Sequence, residues 1–151
     1  MSRQKWLTGL ILVCLANGPL GQVAFAQTLN AKNNYLLHCS GCHRGDGTGS
    51  RTGGVPSLSL VKAFTSDAEG RKYLMHVPGI AYSGLSNKEI AAVVNYVVVR
   101  LGQPDVPFQL FTAEEVDHLR AVNIDDIVGY RRALAKRYAT EGKLVADYPW
   151  P

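Results

Sequence analysis

Tyr35-Leu36-Leu37-His38-Cys39-Ser40-Gly41-Cys42-His43 is the stretch on which the reading of this 151-residue chain turns. Residues 29–40 contain no helix breaker. Leu29, Ala31, Tyr35, Leu36 and Leu37 give them a loosely helical apolar face, with Thr28 or Asn30 available as a cap. That predicted helix runs directly into Cys39. Beyond His43 the character changes: Gly45, Gly47, Gly49, Gly53, Gly54 and Pro56 mark residues 44–57 as a loop. Two thiols three positions apart, followed at once by an imidazole, therefore sit where a helix gives way to a glycine-rich loop.

The compartment sharpens the question. Arg3 and Lys5 precede an apolar run from Trp6 to Ala16, Asn17-Gly18-Pro19 breaks it, and Ala24-Phe25-Ala26 has the small-x-small form of a cleavage site. This layout predicts a signal peptide over 1–26 and a mature protein delivered to the periplasm. The run is about half the roughly 20 residues that a bilayer span needs, so a membrane anchor is the weaker reading and no membrane span is expected in the mature chain. Cys14 could instead begin a lipoprotein, but Val13 is not the small residue usual before such a cysteine. Cleavage after Ala26 leaves 125 residues with Cys39 and Cys42 as their only cysteines. No disulfide framework staples them, although the compartment would permit one.

Cys39-Ser40-Gly41-Cys42-His43 is C-x-x-C-H, the haem-attachment signature. Two thiols at this spacing can add to the two vinyl groups on the rim of one porphyrin, and the next residue, His43, can then hold the iron. A thioredoxin-like pair normally opens a helix that follows a strand, whereas this motif closes a helix. A zinc site needs two further soft ligands. The other histidines, His38, His76 and His118, show no paired spacing.

The rest of the chain reads as all-α with long loops. A short apolar stretch covers Leu58 to Phe64, and a polar helix follows from about Ser66 to Met75. Val77-Pro78-Gly79 stops that helix, since a residue before proline avoids helical geometry, and 79–85 are read as irregular. Ser86-Asn87-Lys88-Glu89 is a capping box. It opens a helix carrying Ile90, Val93, Val94, Val97, Val98 and Leu101 on one face, ended by Gly102. Pro104 to Gln109 looks like a linker. Thr112-Ala113-Glu114-Glu115 reads as a second capping box for a helix to about Val122. Asn123 or Asp125 is expected to cap another from about Asp126 to Thr140.

Over residues 28–102 the sequence resembles the class I (mitochondrial-like) c-type cytochromes, in their monohaem bacterial periplasmic form. The likeness rests on the helix into CSGCH, the stretch RGDGTGSRTGG (44–54), the segment VPSL (55–58) and the helix LSNKEIAAVVNYVVVRLG (85–102). It implies a cytochrome c-like helical fold around one covalently bound haem c over 27–103, with 104–151 as an additional C-terminal helical extension. Cys39 and Cys42 would bind the haem and His43 would be the proximal iron ligand. Pro56 would offer its carbonyl to the outer N–H of His43, and Tyr96 would pack against the first helix. One departure matters. Where the family places a methionine before proline, this chain has Val77-Pro78. Alternation along an extended segment puts Met75 on the side of Val77, which favours Met75 as distal ligand, with His76 or an open position as alternatives.

The function so implied is electron carriage rather than enzymology. A periplasmic carrier would take single electrons from a dehydrogenase and deliver them to an oxidase or other terminal acceptor. The rivals are a five-coordinate haem sensor or peroxidase-like protein, and a bound cytochrome subunit of a larger dehydrogenase, for which the extension is the motive. The formal charge is +4 for the whole chain, made of +4 over 27–103, −2 over 104–151 and the two basic residues of the leader. No clustered basic stripe marks a nucleic-acid surface.

Overall fold

The computed structural model describes residues 30–102 and 108–147. The predicted signal peptide, most of the linker and the aromatic end at 148–151 lie outside them. Within the described residues the architecture is all-α. The helices are α1 (30–38), α2 (Ser40–His43), a 3-10 turn (Val61–Thr65), α3 (Ala68–His76), α4 (Pro78–Ala81), α5 (Asn87–Arg100), α6 (Ala113–Arg120) and α7 (Ile127–Thr140). A single isolated bridge, Ser50 to Val55, is their only β pairing.

Helix α5 begins as its sequence dictates. The Ser86 side chain accepts from the Glu89 N–H while the Glu89 carboxylate accepts from the Ser86 N–H, which satisfies two orphan donors reciprocally. Its buried face is Ile90, Ala91, Val93, Val94, Val97 and Val98. Sequestering an aliphatic side chain of this size contributes about 1.5–3 kcal/mol, enough to override the mild helix reluctance of β-branched residues. Tyr96 on this helix meets Tyr35 on α1, ring centroids 5.9 Å apart and tilted. The helix that leads into the cysteines is thereby fastened to the helix that closes the first part of the chain.

Several boundaries differ from expectation, each for a local reason. Residues 78–81 are a turn of helix rather than irregular, because Pro78 sits at its first position, where fixed φ and a missing N–H cost nothing. Helix α3 starts at Ala68, with Asp67 accepting from the Gly70 N–H at 2.9 Å as its cap. Asp126, not Asn123 or Asp125, caps α7 through the Gly129 N–H, while Asn123 and Asp125 bond to each other. At α6 only half the expected capping box forms. Thr112 accepts from the Glu115 N–H, but the Glu115 carboxylate turns away to grip Arg71 through two 2.6 Å bonds.

That diversion shows how 108–147 joins the rest. Arg71, 7% exposed, also donates to the Gln109 carbonyl at 2.9 Å and lies 3.7 Å from the centroid of the Phe111 ring. Asn95 on α5 brackets Phe111 with two backbone bonds, at 3.0 and 2.9 Å. Phe64 packs on Tyr73 and on Tyr138, so the 3-10 turn, α3 and α7 share one aromatic cluster. The approach of α7 depends on Gly70, where a Cβ would lie 2.3 Å from the Tyr138 hydroxyl and 2.4 Å from the Phe64 carbonyl. Phe111, Val116, Leu134 and Tyr138 belong to the same buried core as Tyr35, Met75 and the valines of α5.

Candidate functional site

Cys39 interrupts the helix before it. Its φ is −121°, and a new turn, α2, starts at Ser40. Continuity survives in the hydrogen bonds: the Cys39 N–H donates to the Tyr35 carbonyl at 2.9 Å. The Cys39 carbonyl accepts from Cys42 at 3.2 Å and from His43 at 2.9 Å. The two thiols thus sit one helical turn apart, with His43 directly after. Both are free. Cys39 is half-buried against the core and Cys42 is exposed.

The turn ends at Arg44, the only described non-glycine residue with positive φ, at 63°. An arginine there carries strain that its surroundings must hold in place. The buried Tyr35 does so, its hydroxyl donating to the Arg44 carbonyl at 2.5 Å. Burial is the main reason that the Tyr35 phenol is pushed up to about 12, followed by the proximity of Cys39. It stays a donor at any ordinary pH.

His43 is oriented from the loop side. Its Nδ1 lies 3.2 Å from the Pro56 carbonyl. A carbonyl oxygen only accepts, so Nδ1 carries the proton and Nε2 keeps the lone pair. The loop that supplies this carbonyl is itself braced. Ser50 and Val55 exchange two 2.8 Å backbone bonds, the Leu58 N–H donates to Gly47 at 2.8 Å, and the Gly49 N–H donates to His43 at 3.1 Å. Gly49 is obligatory here, with φ +73° and a would-be Cβ only 2.4 Å from the Val55 carbonyl and 2.7 Å from that of Pro56. The chain passes under the very carbonyl that orients the imidazole. Burial lowers the His43 pKa, opposed by the bond to Pro56, so the neutral ring is favoured.

The electrostatics suit some chemistries better than others. Burial, then the nearby Cys42, pushes the Cys39 thiol up from its usual value. A dithiol redox pair works through a depressed thiol, set at a helix N-terminus or beside a cation. Among the described residues no three histidine, cysteine, aspartate or glutamate side chains converge as they would around a zinc ion. By contrast the donor set fits a covalently held haem: two free thiols on one turn, one half-buried and one exposed, beside a neutral imidazole with its outer nitrogen fixed.

Cys39, Cys42, His43 and Pro56 are brought together. Met75 and His76 are the last two residues of α3. Met75 is 1% exposed, inside the core. His76 directs Nδ1 to the Lys72 carbonyl at 2.8 Å and Nε2 to the Val122 carbonyl at 2.5 Å. Val77, in the extended link to α4, is half-buried. Sequence reasoning missed the bracing roles of Tyr35, Arg44 and Gly49. The glycine run signals only that some positive-φ position lies there, and nothing local marks Tyr35 as the partner of a carbonyl nine residues on.

No protein-family model matches the chain, and no curated protein matches it. Among the described residues no helix is long and apolar enough to cross a membrane.

Proposed function

We propose that this chain is a monohaem c-type cytochrome of the periplasm, exported by the leader at 1–26, which passes single electrons between redox proteins. The observation that carries the reading is the 3.2 Å contact between His43 Nδ1 and the Pro56 carbonyl, beside two free thiols on the same turn. An imidazole that gives its outer N–H to a carbonyl has a fixed tautomer and ring plane and is a more basic ligand through its other nitrogen.

Haem, when bound, supplies an iron that cycles between two oxidation states. The chain's own contribution is positional. Cys39 and Cys42 present sulfur for two thioether bonds, and His43 presents Nε2 to the iron. Tyr35 and Gly49 keep the turn and the Pro56 carbonyl in register. Cys42 is exposed, so a thioether formed there would be open to an approaching donor or acceptor protein.

The test is covalent attachment. Expression in the periplasm of a host equipped for cytochrome c maturation should give a red protein whose mass, after denaturation and acid–acetone extraction, exceeds that of the processed chain by one haem. Cys39→Ser with Cys42→Ser should abolish that increment. Colour that extracts completely, or a chain with no haem, would refute the reading.

A further inference from the structure

We infer that the Tyr35 hydroxyl is a positioning group for the iron-binding imidazole: by holding the Arg44 carbonyl it keeps the Pro56 carbonyl aligned with His43, and so helps to set the reduction potential. The inference rests on haem attachment as proposed above and deepens it, because it names a residue outside the C-x-x-C-H pentad that governs the imidazole.

Tyr35 grips the pentad at both ends. Its carbonyl accepts from the Cys39 N–H at 2.9 Å, and its hydroxyl donates to the carbonyl of Arg44, the residue after His43, at 2.5 Å. The ring is anchored in the core, 1% exposed and packed against Tyr96 of α5. A phenylalanine would fill the same space. Packing alone therefore does not call for the oxygen, which would cost stability in a buried position unless it were bonded.

The carbonyl it holds belongs to the joint between turn and loop. At φ 63° and ψ 167°, Arg44 occupies backbone space that is essentially reserved for glycine. Before this joint, both backbone groups of His43 are fixed: its N–H donates to Cys39 at 2.9 Å and its carbonyl accepts from Gly49 at 3.1 Å. After it, the chain runs round to Pro56, whose carbonyl meets His43 Nδ1 at 3.2 Å.

A strained joint relaxes when its tether is cut. Rotation of Arg44 toward an ordinary φ would redirect the loop and draw the Pro56 carbonyl away from the ring. The Gly47 N–H also reaches the Arg44 carbonyl, at 3.4 Å, but it lies in the loop and would move with it. An imidazole that loses its carbonyl partner is a poorer donor to ferric iron, so the potential should rise. A tyrosine that merely packed would change stability and leave the potential alone.

The experiment compares four full-length, haem-loaded proteins: the parent, Tyr35→Phe, Arg44→Gly and the double variant. In the parent background, Tyr35→Phe should raise the reduction potential. It should also speed hydrogen exchange at the Gly49 amide about tenfold, the change that one lost hydrogen bond makes in a local opening. Glycine holds the Arg44 conformation without strain, so in the Arg44→Gly background the same substitution should leave the potential where it was. Each Tyr35→Phe protein is read against its own background, which cancels the charge removed with Arg44. Equal potential shifts in the two backgrounds, or none in either, would overturn the inference. If Tyr35→Phe loses covalent haem, restoration by Arg44→Gly supports the inference and failure to restore it counts against it. Absence of covalent haem from the unmodified protein would instead overturn the reading of the preceding subsection, and this one with it.

Discussion

Replacing Gly49 with alanine should loosen the site from the loop side without touching a cysteine or the histidine. The residue sits at φ +73°, and a Cβ there would meet the Val55 carbonyl at 2.4 Å and the Pro56 carbonyl at 2.7 Å. A left-handed conformation costs an ordinary residue about 1–2 kcal/mol. The carbonyls must also retreat by roughly half an ångström to restore a tolerable contact. That movement works against the paired Ser50–Val55 bonds, each worth about 1 kcal/mol, and draws the Pro56 oxygen from His43 Nδ1, already 3.2 Å away. A total near 3 kcal/mol is expected in urea unfolding of the haem-loaded protein. The reduction potential should rise as well, because an imidazole without its carbonyl partner is a poorer donor to ferric iron. Gly53→Ala is the control: its nearest contacts would be the Ser50 side chain at 3.1 Å and the Ser50 carbonyl at 3.9 Å, and its φ is not positive. If the two variants unfold at the same urea concentration and share the parent's potential, the bracing role assigned to this loop is wrong.

Glu115→Gln should lower the melting temperature by about 5–8 °C, from a loss of about 2–3 kcal/mol in a domain of this size. It leaves Arg71, 9% exposed at its side chain, without its bidentate partner, and the figure sits below the usual cost of breaking a buried pair because Glu115 is itself 29% exposed. Calorimetry showing a shift under about 2 °C would mean that the pair is no more than a surface contact. For Asp67 the prediction concerns pH. Burial pushes its carboxyl up, but the Gly70 N–H and Arg137, at 3.0 and 3.1 Å, outweigh it and hold the group below its usual range. A folded-state value below the unfolded one means stabilisation that is complete above the ordinary carboxylate range and fades as pH falls through the depressed value. Asp67→Asn should therefore differ from the parent at neutral pH and converge on it in acid. A gap in unfolding free energy that stays constant down to pH values of about 3 would contradict this assignment.

What the sequence made legible was local, and what it hid was distant. The α5 capping box, the apolar valine face and the stop at Val77-Pro78 involve residues within a few positions of one another, and each has its expected place. The Glu115 half of the α6 box was misread because its competitor, Arg71, lies 44 positions earlier. A carboxylate offered a buried guanidinium gains more than one offered a single solvent-facing N–H. The same limit explains the extension. By composition, 104–151 carries a formal −2 and ends in Tyr148 and Trp150, which fits docking onto a partner as well as packing on the chain itself. The described part, 108–147, does pack on this chain: Arg137 pairs with Asp67, Asn95 with the Phe111 backbone, and Tyr138 closes over Gly70. Under the proposed function, the exposed Cys42 and the apolar Leu37, 78% exposed on the helix before it, offer one surface at which a redox partner would approach.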